Sequence, residues 1–149
     1  MNPPETAASS DRFDHPVRVA DDDIDGNGHA NNVVYLRWVQ EAAVAHWKAV
    51  VEPGVAAGLS WVVVRHEIDY KRPALRHDAL LARTWVGEIT AATTERFCEI
   101  LRASDGELLA KARTIWCAID RATGRPKRIN ARIKSYFSGS QDSSSGEGP

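Results

Sequence analysis

From Asn31 to Val51 the chain reads NNVVYLRWVQEAAVAHWKAVV, over twenty residues without a glycine or a proline. That length predicts a helix rather than a strand. Asn31 offers its side-chain oxygen to the free amides of a first turn, and Pro53-Gly54 closes the far end. The apolar residues, Val33, Val34, Tyr35, Leu36, Trp38, Val39, Ala42, Ala43, Val44, Ala45 and Trp47, cover most of the circumference instead of one stripe, as in a buried helix. Whatever this chain folds into must therefore wrap one long helix.

The rest of the sequence supplies the wrapping. HPVRVA, from His15 to Ala20, reads as a short strand. After residue 60 come WVVVRHEIDYKRP, LLARTWVGEIT, TTERFCEILRAS and ELLAKARTIWCAIDR, rich in Val, Ile, Thr and aromatic residues and alternating apolar with polar over much of their length. The breaks at 73–78, Ala91-Ala92, Ser104-Asp105-Gly106 and Ala122-Thr123-Gly124 are too short for parallel crossovers, so neighbouring strands are expected to pair antiparallel. The expected class is α+β, a long central helix wrapped by a curved antiparallel β-sheet. The uncovered part of such a helix, in a chain of 149 residues, is expected to meet a second copy of the protein. Residues 1–12 and 138–149 are Ser, Gly, Pro and acid, composition that does not repay ordering. The expected organisation is a disordered N-terminal arm (1–12), one folded domain (13–137) and a disordered C-terminal tail (138–149).

Composition narrows the partners. With 19 basic and 20 acidic side chains, there is no net electrostatic reason to expect nucleic acid or an anionic membrane surface. The N-terminal stretch has no basic-then-apolar leader pattern, and no run approaches the ~20 apolar residues of a membrane span. Cys98 and Cys117 sit in apolar-rich stretches away from other metal-ligand residues, as buried thiols of a reducing compartment. A cytoplasmic location is the expectation.

Between the first strand and the helix lies DDDIDGNGHANN, residues 21–32, whose alternating acids and following glycine resemble a calcium loop. An EF-hand loop counted from Asp21 needs an apolar residue at its eighth place and a bidentate Glu at its twelfth, with a helix on each side. Here those places are Gly28 and Asn32, and the preceding segment contains Pro16. No metal is expected. A chemical reading fits better: a loop running into a helix N-terminus puts side chains just ahead of free backbone amides and the positive end of the macrodipole, where groups could converge on a substrate.

The stretch from Asp23 through Asp25, Asn27, His29, Asn31, Asn32, Tyr35 and Trp38 to Glu41, with His66-Glu67-Ile-Asp69-Tyr70-Lys71-Arg72-Pro73 further on, resembles the hotdog-fold thioesterases over about residues 15–121. The D-x-D-x-x-G pattern resembles the 4-hydroxybenzoyl-CoA thioesterase-like branch, whose catalytic aspartate falls on Asp25. The D-x-N-x-H-x-N-N-x-x-Y pattern resembles the acyl-acyl-carrier-protein thioesterases. The position of His29 is often apolar in the first branch. In the plant enzymes of the second an acidic residue stands where this chain has Pro73, and the plant chains carry two hotdog repeats. The resemblance implies a single-repeat, bacterial-type thioesterase of the hotdog fold, acting on an acyl thioester of coenzyme A or, second, of a carrier protein, with no cofactor beyond the coenzyme A or phosphopantetheine of the substrate, and assembling as a homodimer or homotetramer.

On this reading Asp25 is the nucleophile or general base, and the resemblance puts the polarising backbone N–H at Asn32. Asn27 orients water or the carboxylate through its side-chain amide. His29 is either a base oriented by Asp25 or a structural bridge of the loop. Glu41 either serves the site or pairs with Arg37 at i,i+4. For the substrate, Tyr35, Arg65 and Tyr70 are lining candidates. Two basic clusters, Lys71, Arg72 and Arg76, then Arg125, Lys127 and Arg128, can grip phosphates. The rival functions are a hotdog enoyl-thioester hydratase or dehydratase and a non-catalytic acyl-CoA-binding module.

Overall fold

The computed structural model describes residues 12–137. Strand β1 (Phe13–Arg18) leads through a 3-10 turn at Asp21–Asp23 into helix α1 (Asn32–Val50). Four strands follow, β2 (Leu59–Tyr70), β3 (Ala79–Ile89), β4 (Thr93–Arg102) and β5 (Leu108–Asp120), then a short helix α2 (Ala131–Phe137). The strands form one sheet in the order β1-β3-β4-β5-β2, antiparallel throughout. Helix α1 packs on β1, β3 and β4.

Side-chain alternation decides which face of the sheet meets the helix. Leu80 and Ala82 of β3, Cys98 and Ile100 of β4, and Ala110 and Ala112 of β5 all point inward, and Trp38, Val39 and Ala42 of α1 close over them. Trp38, 1% exposed, is the largest side chain in this core. Two smaller apolar clusters join the C-terminal half of α1 to α2 through Ile129, Ile133 and Phe137.

The helix starts where expected: the Asn31 side chain accepts a hydrogen bond from Val33 N at 3.0 Å. Asn31→Ala is expected to lower stability by about 1 kcal/mol, read as a lower urea midpoint with an unchanged slope.

Two features differ from the expectations, the bounds of β1 and the presence of α2. Strand β1 begins two residues earlier than His15 and ends at Arg18, because Ala20 is drawn into the following turn by a hydrogen bond from its N–H to the Asp23 carboxylate. Helix α2 was not expected; the Asn130 side chain caps it by accepting from Ile133 N at 2.8 Å, and it buries Ile133 and Phe137. In a single chain α1 is buried on one side only, since Val33, Arg37, Gln40 and Val44 face outward. Of the expected arm at 1–12 only Arg12 is described, its guanidinium 3.7 Å over the Trp85 ring; the expected tail lies outside the described residues.

Candidate active site

The acidic stretch folds as a tight loop strapped to the helix start. Ile24 and Ala30 form an isolated antiparallel bridge, and Asn31 N donates to the Asp23 carbonyl at 2.8 Å. On its other side the loop is fixed to the β2–β3 connection, by a His29–Leu75 bridge and by Ala30 N donating to the Ala74 carbonyl at 2.9 Å. Gly28 takes the left-handed conformation that closes the turn, with φ of +82°, which glycine adopts without a Cβ penalty.

The three alternating carboxylates go to three different places. Asp21 meets Arg76 at 2.8 Å and His77 at 3.0 Å, and these hydrogen bonds, Arg76 first, hold its pKa below the usual carboxylate value. Asp23 is buried, 4% exposed, and accepts from Ala20 N at 3.0 Å and from Arg37 Nη2 at 3.1 Å. Asp25 caps its own turn: Oδ1 accepts from Asn27 N at 2.8 Å and from His29 N at 3.3 Å. Its Oδ2 has no hydrogen-bond partner among the described residues.

The helix N-terminus that follows this loop presents one donor that is free among the described residues. The N–H of Asn31 is taken by Asp23, that of Val33 by the Asn31 side chain, and that of Val34 by the Asn31 carbonyl at 2.9 Å. The N–H of Asn32 has no acceptor among the described residues. A loop carboxylate oriented through one oxygen, followed in the chain by an amide at the positive end of a helix that no described residue takes, supplies groups able to activate water and polarise a carbonyl.

Asn27 and His29 act here through their backbones. Both donate main-chain N–H groups to Asp25, whereas neither side chain makes a hydrogen bond among the described residues. The expected side-chain amide contact of Asn27 and the expected ring contact between His29 and Asp25 are therefore not formed within this chain, because the turn presents the two main-chain N–H groups to the carboxylate first. Glu41 lies nine residues along α1 from Asn32, roughly 13 Å down the axis, and pairs with Arg37 at 3.5 Å on the exposed face.

Tyr35 belongs to the core. It is 2% exposed, and its hydroxyl accepts from Ala74 N at 2.9 Å, so burial raises its pKa and closes it to a ligand within this chain. Tyr70 does reach the site: its hydroxyl donates to the Asn32 carbonyl at 3.0 Å while its ring meets Tyr35 edge-on. Among the basic candidates, Arg65 pairs with Glu67 at 2.6 Å, Arg72 with Glu107 at 3.1 Å, and Arg76 with Asp21 beside the loop. Lys71 is exposed at the same end of β2. Arg128 is also exposed, but it follows β5 near the opposite end of β2, a strand's length of roughly 40 Å away. A structural role that sequence reasoning missed is that of Asp23, whose buried carboxylate ties the turn to Arg37 of the helix.

A long helix held in a five-stranded antiparallel sheet, with a carboxylate-bearing loop at the helix N-terminus, defines the hotdog class. The family model of the thioesterase-like superfamily matches residues 19–137, and the chain belongs to that superfamily. Thioester hydrolysis is the class of reaction that membership assigns to it. No curated protein matches the chain by sequence. Among solved structures it is similar to the DHNA-CoA thioesterase of Staphylococcus aureus, with a TM-score of 0.81, 17% identity, and coverage of 93% of this chain and 96% of that one. It is also similar to a 1,4-dihydroxy-2-naphthoyl-CoA thioesterase from Synechocystis (TM-score 0.75, 21% identity, 86% of this chain and 96% of that one). A probable thioesterase from Bartonella henselae gives a TM-score of 0.73 at 23% identity, over 80% of this chain and 99% of that one. These likenesses establish the fold.

Proposed function

We propose that this chain hydrolyses an acyl-CoA thioester to the free acid and coenzyme A, with Asp25 as general base or nucleophile and the Asn32 N–H as oxyanion donor. The observation that carries the reading is a carboxylate anchored through one oxygen by two backbone N–H groups, on the loop that leads into an amide at the start of α1 without an acceptor among the described residues. The anchored Oδ1 fixes the direction of Oδ2, and a fixed carboxylate loses no orientation entropy when it acts. Attack on the thioester carbonyl places negative charge on its oxygen, and the Asn32 N–H with the helix dipole stabilises that charge. Where Asp25 acts as base, water attacks, Asp25 takes its proton, and collapse expels the thiolate, which receives that proton; where Asp25 attacks, collapse leaves an acyl–Asp25 anhydride that water then hydrolyses to the free acid.

The reading includes a homodimer joined along β2. That strand is twelve residues long, lies at an edge of the sheet, and carries exposed Val62 and Val64; a bare edge of this length invites pairing. Antiparallel pairing of β2 about a two-fold axis reverses the second strand. It would bring Arg128 of the partner subunit toward the Asp25 end, where Lys71 also lies, so that the two basic clusters serve one nucleotide. The two free thiols, Cys98 and Cys117, support the further proposal of a cytoplasmic location.

A panel of acyl-CoA thioesters, with the same acyl groups on a carrier protein in parallel and free thiol as the readout, tests the proposal. The expected result is thiol release from at least one acyl-CoA with kcat/KM of about 10⁴ M⁻¹s⁻¹ or more, exceeding that on the carrier protein. Saturable binding without turnover would refute it in favour of a binding module. Loss of the conjugated absorbance of an enoyl-CoA without thiol release would refute it in favour of a hydratase.

A further inference from the structure

At the end of α1 away from the Asp25 loop, the fold leaves a cavity of about 110 Å³, open on one side, between α1, the inner face of the sheet and α2. An apolar cavity on the order of 150 Å³ can hold a benzene-sized body, and this one opens outward to take more. Trp47, Trp61, Trp116, Ile133 and Phe137 give it an apolar wall, and into that wall β4 places Arg96.

Arg96 is 6% exposed. Its Nη1 donates to His46 Nδ1 at 2.9 Å and to Thr84 Oγ1 at 3.1 Å, neither of which carries negative charge. Nε and Nη2 have no hydrogen-bond partner, and Arg96 has no carboxylate partner, among the described residues. The adjacent Glu95 does not help, because it is committed to Arg113 at 2.6 Å. Burial lowers the pKa of Arg96 only to about 10, so it stays a cation at neutral pH. Two of the tryptophans in the wall, Trp61 and Trp116, have buried indole N–H groups without an acceptor among the described residues. A buried charge is costly unless an opposite charge meets it, and buried donors are costly unless an acceptor does. Here a cation without a counter-charge among the described residues lines an apolar cavity.

We propose that this cavity is a binding site for an apolar monocarboxylate, with the carboxylate on Arg96 and an aromatic or branched body among the tryptophans. Guanidinium can take a carboxylate through two parallel N–H donors, and Arg96 retains Nε and Nη2 for that geometry. Asn32 and His46 are fourteen residues apart on α1, roughly 21 Å along the axis, so the site is separate from the Asp25 loop. The proposal stands on the cavity and its charge and does not depend on thioester hydrolysis.

The probes are 4-phenylbutyrate and its primary amide, matched in shape and different in charge. Each is titrated into the full chain by calorimetry, with tryptophan emission as a second readout. The acid is expected to bind saturably, one per chain, at least tenfold tighter than the amide, and to change the emission. Arg96→Gln is expected to erase the difference between the two. Val44→Trp, at the exposed rim of the cavity, is expected to weaken both. Equal affinity of acid and amide in the wild-type chain, the absence of saturable binding, or undiminished binding in Val44→Trp overturns the site. Undiminished preference for the acid in folded Arg96→Gln overturns the role of Arg96. If that variant does not fold, the acid-to-amide contrast and Val44→Trp decide.

Discussion

Asp25→Asn is expected to lower kcat on the best acyl-CoA substrate by about 10²–10⁴, the range a positioned general base contributes. The substitution is close to isosteric, and the asparagine oxygen can still accept from Asn27 N and His29 N, so the turn should keep its shape. What changes is the second atom: Oδ2, which has no partner among the described residues, becomes an amide nitrogen that neither takes a proton nor attacks carbon. The thermal midpoint is therefore expected to stay where it is while turnover falls. Single-turnover thiol release, run alongside a thermal melt, separates loss of chemistry from loss of fold. Near-wild-type turnover in a folded Asp25→Asn protein would remove Asp25 from the reaction.

The same variant clarifies the roles of Asn27 and His29. Their contribution within this chain is two backbone N–H groups, so replacing either side chain by alanine leaves the hydrogen bonds to Asp25 in place. A side chain at either position matters to catalysis only if it meets substrate or a second subunit.

How much of this was legible in the sequence depends on whether the determining forces are local. The helix could be read because its cap, Asn31, its length and its punctuation all lie within one stretch, and the four long strands because alternation and short turns are local as well. What covers the rest of the helix is not a local property. Val33 and Val44 are apolar but face outward in one chain, and composition around a helix does not say whether neighbouring protein or solvent meets each face. In the loop, the spacing Asp25-x-Asn27-x-His29 suggested side-chain chemistry, whereas the close return of the chain supplied main-chain donors instead. Tyr35 looked like a lining residue from its place in a motif; its hydroxyl goes to Ala74, thirty-nine residues later, a partner no local pattern names. Arg96 did leave a trace. In TTERFCEIL it stands in phase with Cys98 and Ile100, the inward residues of β4, and a cation in the register of a core face marks something to be explained.

Asn32→Pro is expected to lower kcat by about 10²–10³ with little change in stability, the loss seen when one oxyanion donor is removed. A main-chain donor usually cannot be deleted by mutation without breaking the structure around it, but this position allows it. Asn32 is the first residue of α1, where proline is tolerated because the N–H makes no intrahelical bond and the fixed φ suits a helix. The residue before a proline must be extended, and Asn31 already is, at φ −64° and ψ 137°. The Asn31 cap on Val33 N and the Tyr70 hydroxyl bond to the Asn32 carbonyl use other atoms and should persist. Asn32→Ala is the control, since it keeps the N–H and removes only an exposed side chain. If the amide polarises the carbonyl, Asn32→Ala retains turnover and Asn32→Pro loses it, with kcat changed more than KM, because the bond strengthens as charge develops. Equal loss in both variants would assign the role to the side chain. Full activity in Asn32→Pro would move the oxyanion site off the start of α1, and with it the reason for placing Asp25 beside that helix end.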